Sequence, residues 1–196
     1  AYGAWVLGRA RCQGYANAMM LALRRLGIPC IYLFGEATSE SGTESHAWNG
    51  VCIEGDWVLL DATWDDPVGE RETLSHAYFN LDATLMNGSH EPSPDFGLAG
   101  MPDFATLDWN YCVQVGTFVP EGEDGKALLA GWLALARGET ALSVQFATLA
   151  QCRDAVDNLQ AILQVAADEA GVYPSGSAYT VDEKVHALEI FSIAYA

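Results

Sequence analysis

The chain has 196 residues and a mass of 21.1 kDa, with nine basic residues against 26 acidic ones, a net charge of −17 and a pI near 4.3. Apolar residues make up 51%, enough for a packed core, which excludes disorder over most of the length. The acidity excludes nucleic acid and anionic membrane surfaces as partners, and no apolar run approaches the ~20 residues that span a bilayer.

Residues 12–26 are predicted as a helix: Ala16, Met19, Met20, Leu23 and Leu26 recur at helical spacing, and Gly27 with Pro29 stops it. Residues 30–35 read as a buried strand and 36–45 as a polar loop. Two strands, 46–53 and 56–62, are joined at Glu54-Gly55, a two-residue hairpin loop. Residues 65–109 are rich in Pro, Gly, Asn and Asp and read as a loop-dominated excursion with one strand candidate, YFNL at 78–81. Then follow a strand at 110–119, a helix at 124–137, a strand at 141–147, an amphipathic helix at 150–169, a loop at 171–181 and a strand at 186–195. This order divides the chain into a core at 1–109 and an α+β extension at 110–196, packed on the core sheet or continuous with it.

Charge is spread unevenly. Residues 1–35 hold Arg9, Arg11, Arg24 and Arg25 and no acid, and Cys12 sits inside that positive stretch. The five cysteines include no CxxC pair and no zinc-like spacing. Cys30, Cys52, Cys112 and Cys152 read as apolar thiols. The chain begins at Ala1 with no signal-peptide or lipobox pattern, so we expect a trimmed or mature piece of a longer protein.

Three residues suit nucleophilic catalysis together: Cys12 in RARCQGYANAM, His46 in ESHAWNGV and Asp61 in WVLLDATWDDP. Cys12 opens a helix, where unsatisfied amides and the helix dipole favour a thiolate, and Arg9 and Arg11 add to that potential. A hairpin loop at Glu54-Gly55 pairs Ile53 with Asp56 and, counted back, Trp48 with Asp61. His46 then lies diagonally from Asp61 on the same face, at ~7–8 Å between backbones. A slip of one residue would separate them. His46 would act as general base and then acid, and Asp61 would orient the imidazole. The Cys12 N–H is the first oxyanion donor; Gln13 and Tyr2 are candidates for the second.

Other residues have structural readings beside functional ones. Trp48, Trp57 and Trp64 could wall a substrate groove or shield the His–Asp pair, with core packing the favoured reading. Trp48, Gln13 and Tyr2 are taken as the candidate substrate contacts. Asp65 and Asp66 before Pro67 read as a capped turn rather than a metal site. His76, His90 and His186 are assigned structural or exposed roles.

The words CQGYANAM, LRRLGIPC, GEAT, SHAWN and LLDATWDDP resemble the transglutaminase-like superfamily, above all its bacterial branch with a papain-like Cys-His-Asp core. The similarity continues through SHAYFNLDATLMNGSHEP and into NYCVQVG. The resemblance implies Cys12 as nucleophile, His46 as its partner and Asp61 as the orienting acid. It implies an α+β papain/transglutaminase-like core, with the cysteine-bearing helix packed on an antiparallel sheet. It also implies thioester chemistry on protein or peptide amides, with hydrolysis favoured over cross-linking. No cofactor and no metal are expected, and an extracellular or cell-surface location is. The alternatives are a catalytically inactive module that binds peptide or cell-wall ligands and, less favoured, metal binding by Cys12, His46 and Asp61.

Overall fold

The computed structural model describes residues 1–66, 74–96 and 100–195, so Pro67 lies outside the described residues. The chain divides into two compact units, one formed by Ala1–Leu74 and Tyr78–Tyr111, the other by Ser75–Ala77 and Cys112–Ala196.

The first unit opens with a short helix α1 (Tyr2–Leu7) and a longer one, α2 (Cys12–Arg25). Strands β1 (Cys30–Ser39), β2 (Gly42–Ile53) and β3 (Asp56–Leu60) follow, then α3 (Ala83–Met86) and β4 (His90–Pro92). All strand pairs of this sheet are antiparallel, in the order β3-β2-β1-β4. Met19, Met20 and Leu23 of α2 pack on Cys30, Val51, Val58 and Leu60 of the sheet. Small residues at 16 and 18 are the buried positions of α2 and let it approach closely. Leu26, expected on the apolar stripe, is 75% exposed. It has left the helix as its C-cap, and Gly27, at φ 79°, reverses the chain into β1.

The β2–β3 hairpin has the anticipated register. Ile53 pairs with Asp56 and Asn49 with Leu60. Glu54 and Gly55 both take positive φ, 52° and 105°, the conformation whose twist matches the flanking strands. Strand β3 ends one residue before Asp61.

Three expectations for this unit need correction. Residues 36–39 and 42–45 are strand, not loop, because β1 and β2 run on as a hairpin that pairs Ser39 with Gly42. The residues of its tip are polar on both faces, so no alternation marks it. YFNL is not a strand: Leu81 makes one bridge to Leu59, and Asn80 turns the chain at φ 58°. The excursion instead contributes β4, a strand of three residues and too short to leave a pattern.

Gly35 admits β4 to the sheet. A Cβ there would lie 2.0 Å from the Glu91 carbonyl oxygen and 2.9 Å from the Pro92 Cα. Only glycine lets the backbone around Pro92 come this close, and that approach brings His90 beside Ala37.

The second unit holds α4 (Tyr111–Val115), which begins at the boundary, β5 (Phe118–Val119), α5 (Gly125–Ala136), β6 (Ala141–Phe146), α6 (Leu149–Asp157), α7 (Leu159–Ala170), β7 (Pro174–Asp182) and β8 (Ala187–Tyr195). Its sheet runs β5-β6-β8-β7, with β5 parallel to β6 and the other pairs antiparallel. Among the described residues each unit thus holds one four-stranded sheet.

Here too the sequence reading needs revision. Half of residues 110–119 form the short helix α4, stopped by Gly116 at φ 82°, and only Phe118–Val119 are strand; a short apolar run does not separate strand from helix by its period. The helix at 150–169 is two helices meeting at Asn158, whose side chain bonds back to the Asp154 carbonyl at 2.8 Å. Residues 174–182 are an edge strand. Pro174 and Gly176 are tolerated there because the ladder to β8 is irregular at that end.

Candidate active site

Asp61 follows β3 and is 0% exposed. A buried carboxylate is costly unless hydrogen bonds replace its water. Asp61 Oδ1 accepts the backbone N–H of Thr63 at 2.8 Å and of Trp64 at 3.4 Å. Oδ2 lies 2.6 Å from His46 Nε2 and 3.2 Å from His90 Nε2. Burial pushes the Asp61 carboxyl up, but the hydrogen bonds from His46 and His90 and their positive potential outweigh it and hold its pKa at about 2.

His46 is buried in β2, two residues from Trp48, as the hairpin arithmetic requires. Its Nε2 is committed to Asp61, which leaves Nδ1 as the nitrogen available to a reacting group. Trp64 lies 5.2 Å from the His46 ring and 4.6 Å from the His90 ring, with Tyr78 beyond it at 4.9 Å. Trp48 is 1% exposed and meets His90 edge-on at 4.9 Å. It thus supports the histidines from within rather than lining an open groove, which corrects its expected role as a substrate contact.

Cys12 is the first residue of α2, partly exposed, where a backbone N–H lacks an intrahelical acceptor. The helix that carries it is tied to the strands that carry His46. Asn49 of β2, wholly buried, donates from Nδ2 to the Ala16 carbonyl at 3.1 Å and to the Ile31 carbonyl at 3.2 Å. Tyr15 donates its hydroxyl to Asp66 at 2.6 Å, just after Asp61 in the chain. Burial, and then the charge that Cys12 can carry, push the Tyr32 hydroxyl of β1 up. Among the described residues the Cys12 thiol makes no hydrogen bond to the His46 ring; such contacts often tighten only when substrate binds.

The other expected contacts stand apart. Gln13 is exposed, and its carbonyl accepts the Asn17 side chain at 2.7 Å. Tyr2, on α1, is 68% exposed. Asp65 Oδ1 accepts the Tyr78 N–H at 2.8 Å and Asp66 Oδ2 the Tyr15 hydroxyl at 2.6 Å, bonds to distant segments rather than caps of a local turn. His76 belongs to the second unit, where its backbone N–H donates to Glu189 at 3.0 Å.

His46, Asp61 and His90 offer ligand atoms within 4.8 Å of one another. Two ligands of a tetrahedral zinc lie roughly 3.4 Å apart, given bonds of about 2.1 Å. The His46–Asp61 separation of 2.6 Å is that of a shared proton.

Sequence reasoning missed His90. Its partner lies 29 residues away along the chain, across a stretch without periodicity. The available signal was the word SHEP, within the segment that carries the family resemblance.

Residues 2–62 match the model of the transglutaminase-like superfamily. The chain is 38% identical over 98 residues to kyphoscoliosis peptidase of Mus musculus, and equally to that of Homo sapiens; each match covers 43% of this chain and 15% of the relative. The chain thus spans a minor part of the length of these curated relatives. Both are mammalian and give no support to the expected bacterial branch.

Proposed function

We propose that this chain, whose residues 2–62 match the transglutaminase-like superfamily model, carries out thiol-dependent acyl transfer on protein or peptide amides, with Cys12 as nucleophile, His46 as acid–base and Asp61 as the orienting carboxylate. The observation that carries the reading is the His46 Nε2–Asp61 Oδ2 bond of 2.6 Å, buried in the same sheet against which the Cys12 helix is docked. Hydrolysis is favoured over cross-linking, since the relatives are named as peptidases.

His46 Nδ1 takes the Cys12 proton as Sγ attacks the amide carbonyl carbon. The oxyanion so formed is placed for the Cys12 backbone N–H. The positive imidazolium is stabilised by Asp61, already ionised in its buried site. Collapse of the tetrahedral intermediate breaks the C–N bond, and the imidazolium returns its proton to the leaving amine. A thioester remains on Sγ. Water, deprotonated by His46, attacks it and releases the carboxylic acid and the free thiol.

The test is site-resolved alkylation of native protein, followed by a peptide-cleavage screen with wild type and Cys12→Ala. Cleavage lost in Cys12→Ala, with Cys12 alkylated faster than Cys52, supports the reading. Equal rates at the two cysteines and no cleavage would favour a module that binds peptides without turning them over.

A further inference from the structure

We propose that His90 is a positioning residue of this site: its Nε2–H, donated to Asp61 Oδ2, keeps the carboxylate turned toward His46. The catalytic consequence rests on the acyl-transfer reading above; the hold on Asp61 rests on geometry alone.

Asp61 Oδ2 is shared by two imidazoles, and they are not equivalent. His46 is the closer, at 2.6 Å against 3.2 Å, and it is the ring that must change its charge and move slightly as it passes a proton. Whenever its bond lengthens, a carboxylate oxygen with no access to water would lose its donor. An uncompensated buried charge of this kind is expensive. The His90 bond remains, so the carboxylate has no reason to pick up a proton or to rotate.

The tautomer of His90 follows from Asp61: Nε2 faces an ionised carboxylate oxygen at 3.2 Å, so the ring proton belongs on Nε2. Ser89 Oγ lies 2.8 Å from His90 Nδ1. With the proton on Nε2, Nδ1 is an acceptor for the Ser89 hydroxyl, whose other acceptor within reach is the Met86 carbonyl at 3.3 Å. The opposite tautomer would set a lone pair 3.2 Å from an anionic oxygen. The backbone fixes this placement. Thr38 N–H donates to the Ser89 carbonyl at 2.8 Å, His90 pairs with Ala37, and Gly35 leaves room for the strand. Besides His46, the rings of Trp64 at 4.6 Å, Trp48 at 4.9 Å and Tyr78 at 5.5 Å wall the imidazole, and packing of this kind locks its rotamer.

The experiment compares wild type with H90F, which fills the space without a donor, and H90Q, which can donate to Asp61. The first readout is the titration of the Asp61 carboxyl carbon by NMR. The second is the pH profile of Cys12 alkylation, with melting temperature as the folding control. We expect the Asp61 midpoint in H90F to rise by at least about one pH unit, Cys12 alkylation to fall about tenfold with its acid limb moved to higher pH, and H90Q to recover part of both. An unchanged Asp61 midpoint in H90F overturns the proposal, as does equal impairment of H90F and H90Q, which would mean that ring volume alone matters. If H90F does not fold, Ser89→Ala replaces it. Loss of the hydroxyl that meets Nδ1 frees the ring to turn from the carboxylate and should move the Asp61 midpoint the same way, and no movement overturns the proposal. If wild-type Cys12 reacts no faster than Cys52 while H90F still raises the Asp61 midpoint, the acyl-transfer reading falls and the hold of His90 on Asp61 stands.

Discussion

Asn49 in β2 reaches the carbonyl of Ala16 in α2 at 3.1 Å, and with that bond the strand of His46 grips the helix of Cys12. Asn49→Ala removes this bond and the one to the Ile31 carbonyl, and leaves a small void. It should cost about 2 kcal/mol in denaturant unfolding. If the contact also sets the distance between thiol and imidazole, Cys12 alkylation should fall more than alkylation of Cys52. A stability loss with an unchanged Cys12 rate would reduce Asn49 to a packing residue.

The Asp61 carboxyl, held at about 2, lies below the ordinary value of about 3.9 that it regains on unfolding. The stability it contributes is therefore fully present above about pH 4 and is lost as pH falls toward 2, roughly 2 kcal/mol in all. Asp61→Asn lacks this dependence. Paired unfolding curves of wild type and D61N should show a stability gap that is constant above pH 4 and narrows below it. A gap that ignores pH would mean that the carboxylate gains nothing from its two imidazoles.

Burial pushes the thiols of Cys30 and Cys152 up to about 11 and that of Cys112 to about 12. All five cysteines are free. At pH 8, native protein should incorporate label at Cys12 and Cys52 and leave the other three unmodified until denaturant is added. Peptide mapping by mass spectrometry checks this. Early label at Cys112 or Cys152 would mean that the core of the second unit opens readily.

Gly35→Ala places a methyl group where the Glu91 carbonyl oxygen lies 2.0 Å away. Strand β4 must then retreat and take His90 with it. A loss of about 1–3 kcal/mol is expected, with the His90 ring resonances displaced in NMR spectra. Gly55→Ala offers a control, since that glycine has positive φ but open space around it. It should destabilise the hairpin turn without moving His90.

What could be read from the sequence was local. The helix over 12–25 announced itself by apolar spacing and by Gly27. The His46–Asp61 pairing followed from counting outward from a two-residue turn, since strand register propagates rigidly over a few residues. What could not be read depended on contacts between distant segments. His90 joins the site only because Gly35 lets an otherwise patternless stretch lie against β1. Trp48 admitted both a groove-wall and a packing reading, because a strand position identifies a face but not what covers it. Strand β7 was masked by residues that favour turns, and only pairing with β8 overrides them.

The Glu54-Gly55 turn has a consequence for the order in which the site can be assembled. His46 and Asp61 are separated by 15 residues and joined through one tight hairpin. Closing such a loop takes microseconds and costs little chain entropy. The acid–base pair is thus a low-contact-order element, whereas recruiting Cys12 and His90 requires longer closures. Lengthening the turn should slow formation of the pair itself, while changes elsewhere in the first unit should delay only the arrival of the nucleophile and of the second imidazole.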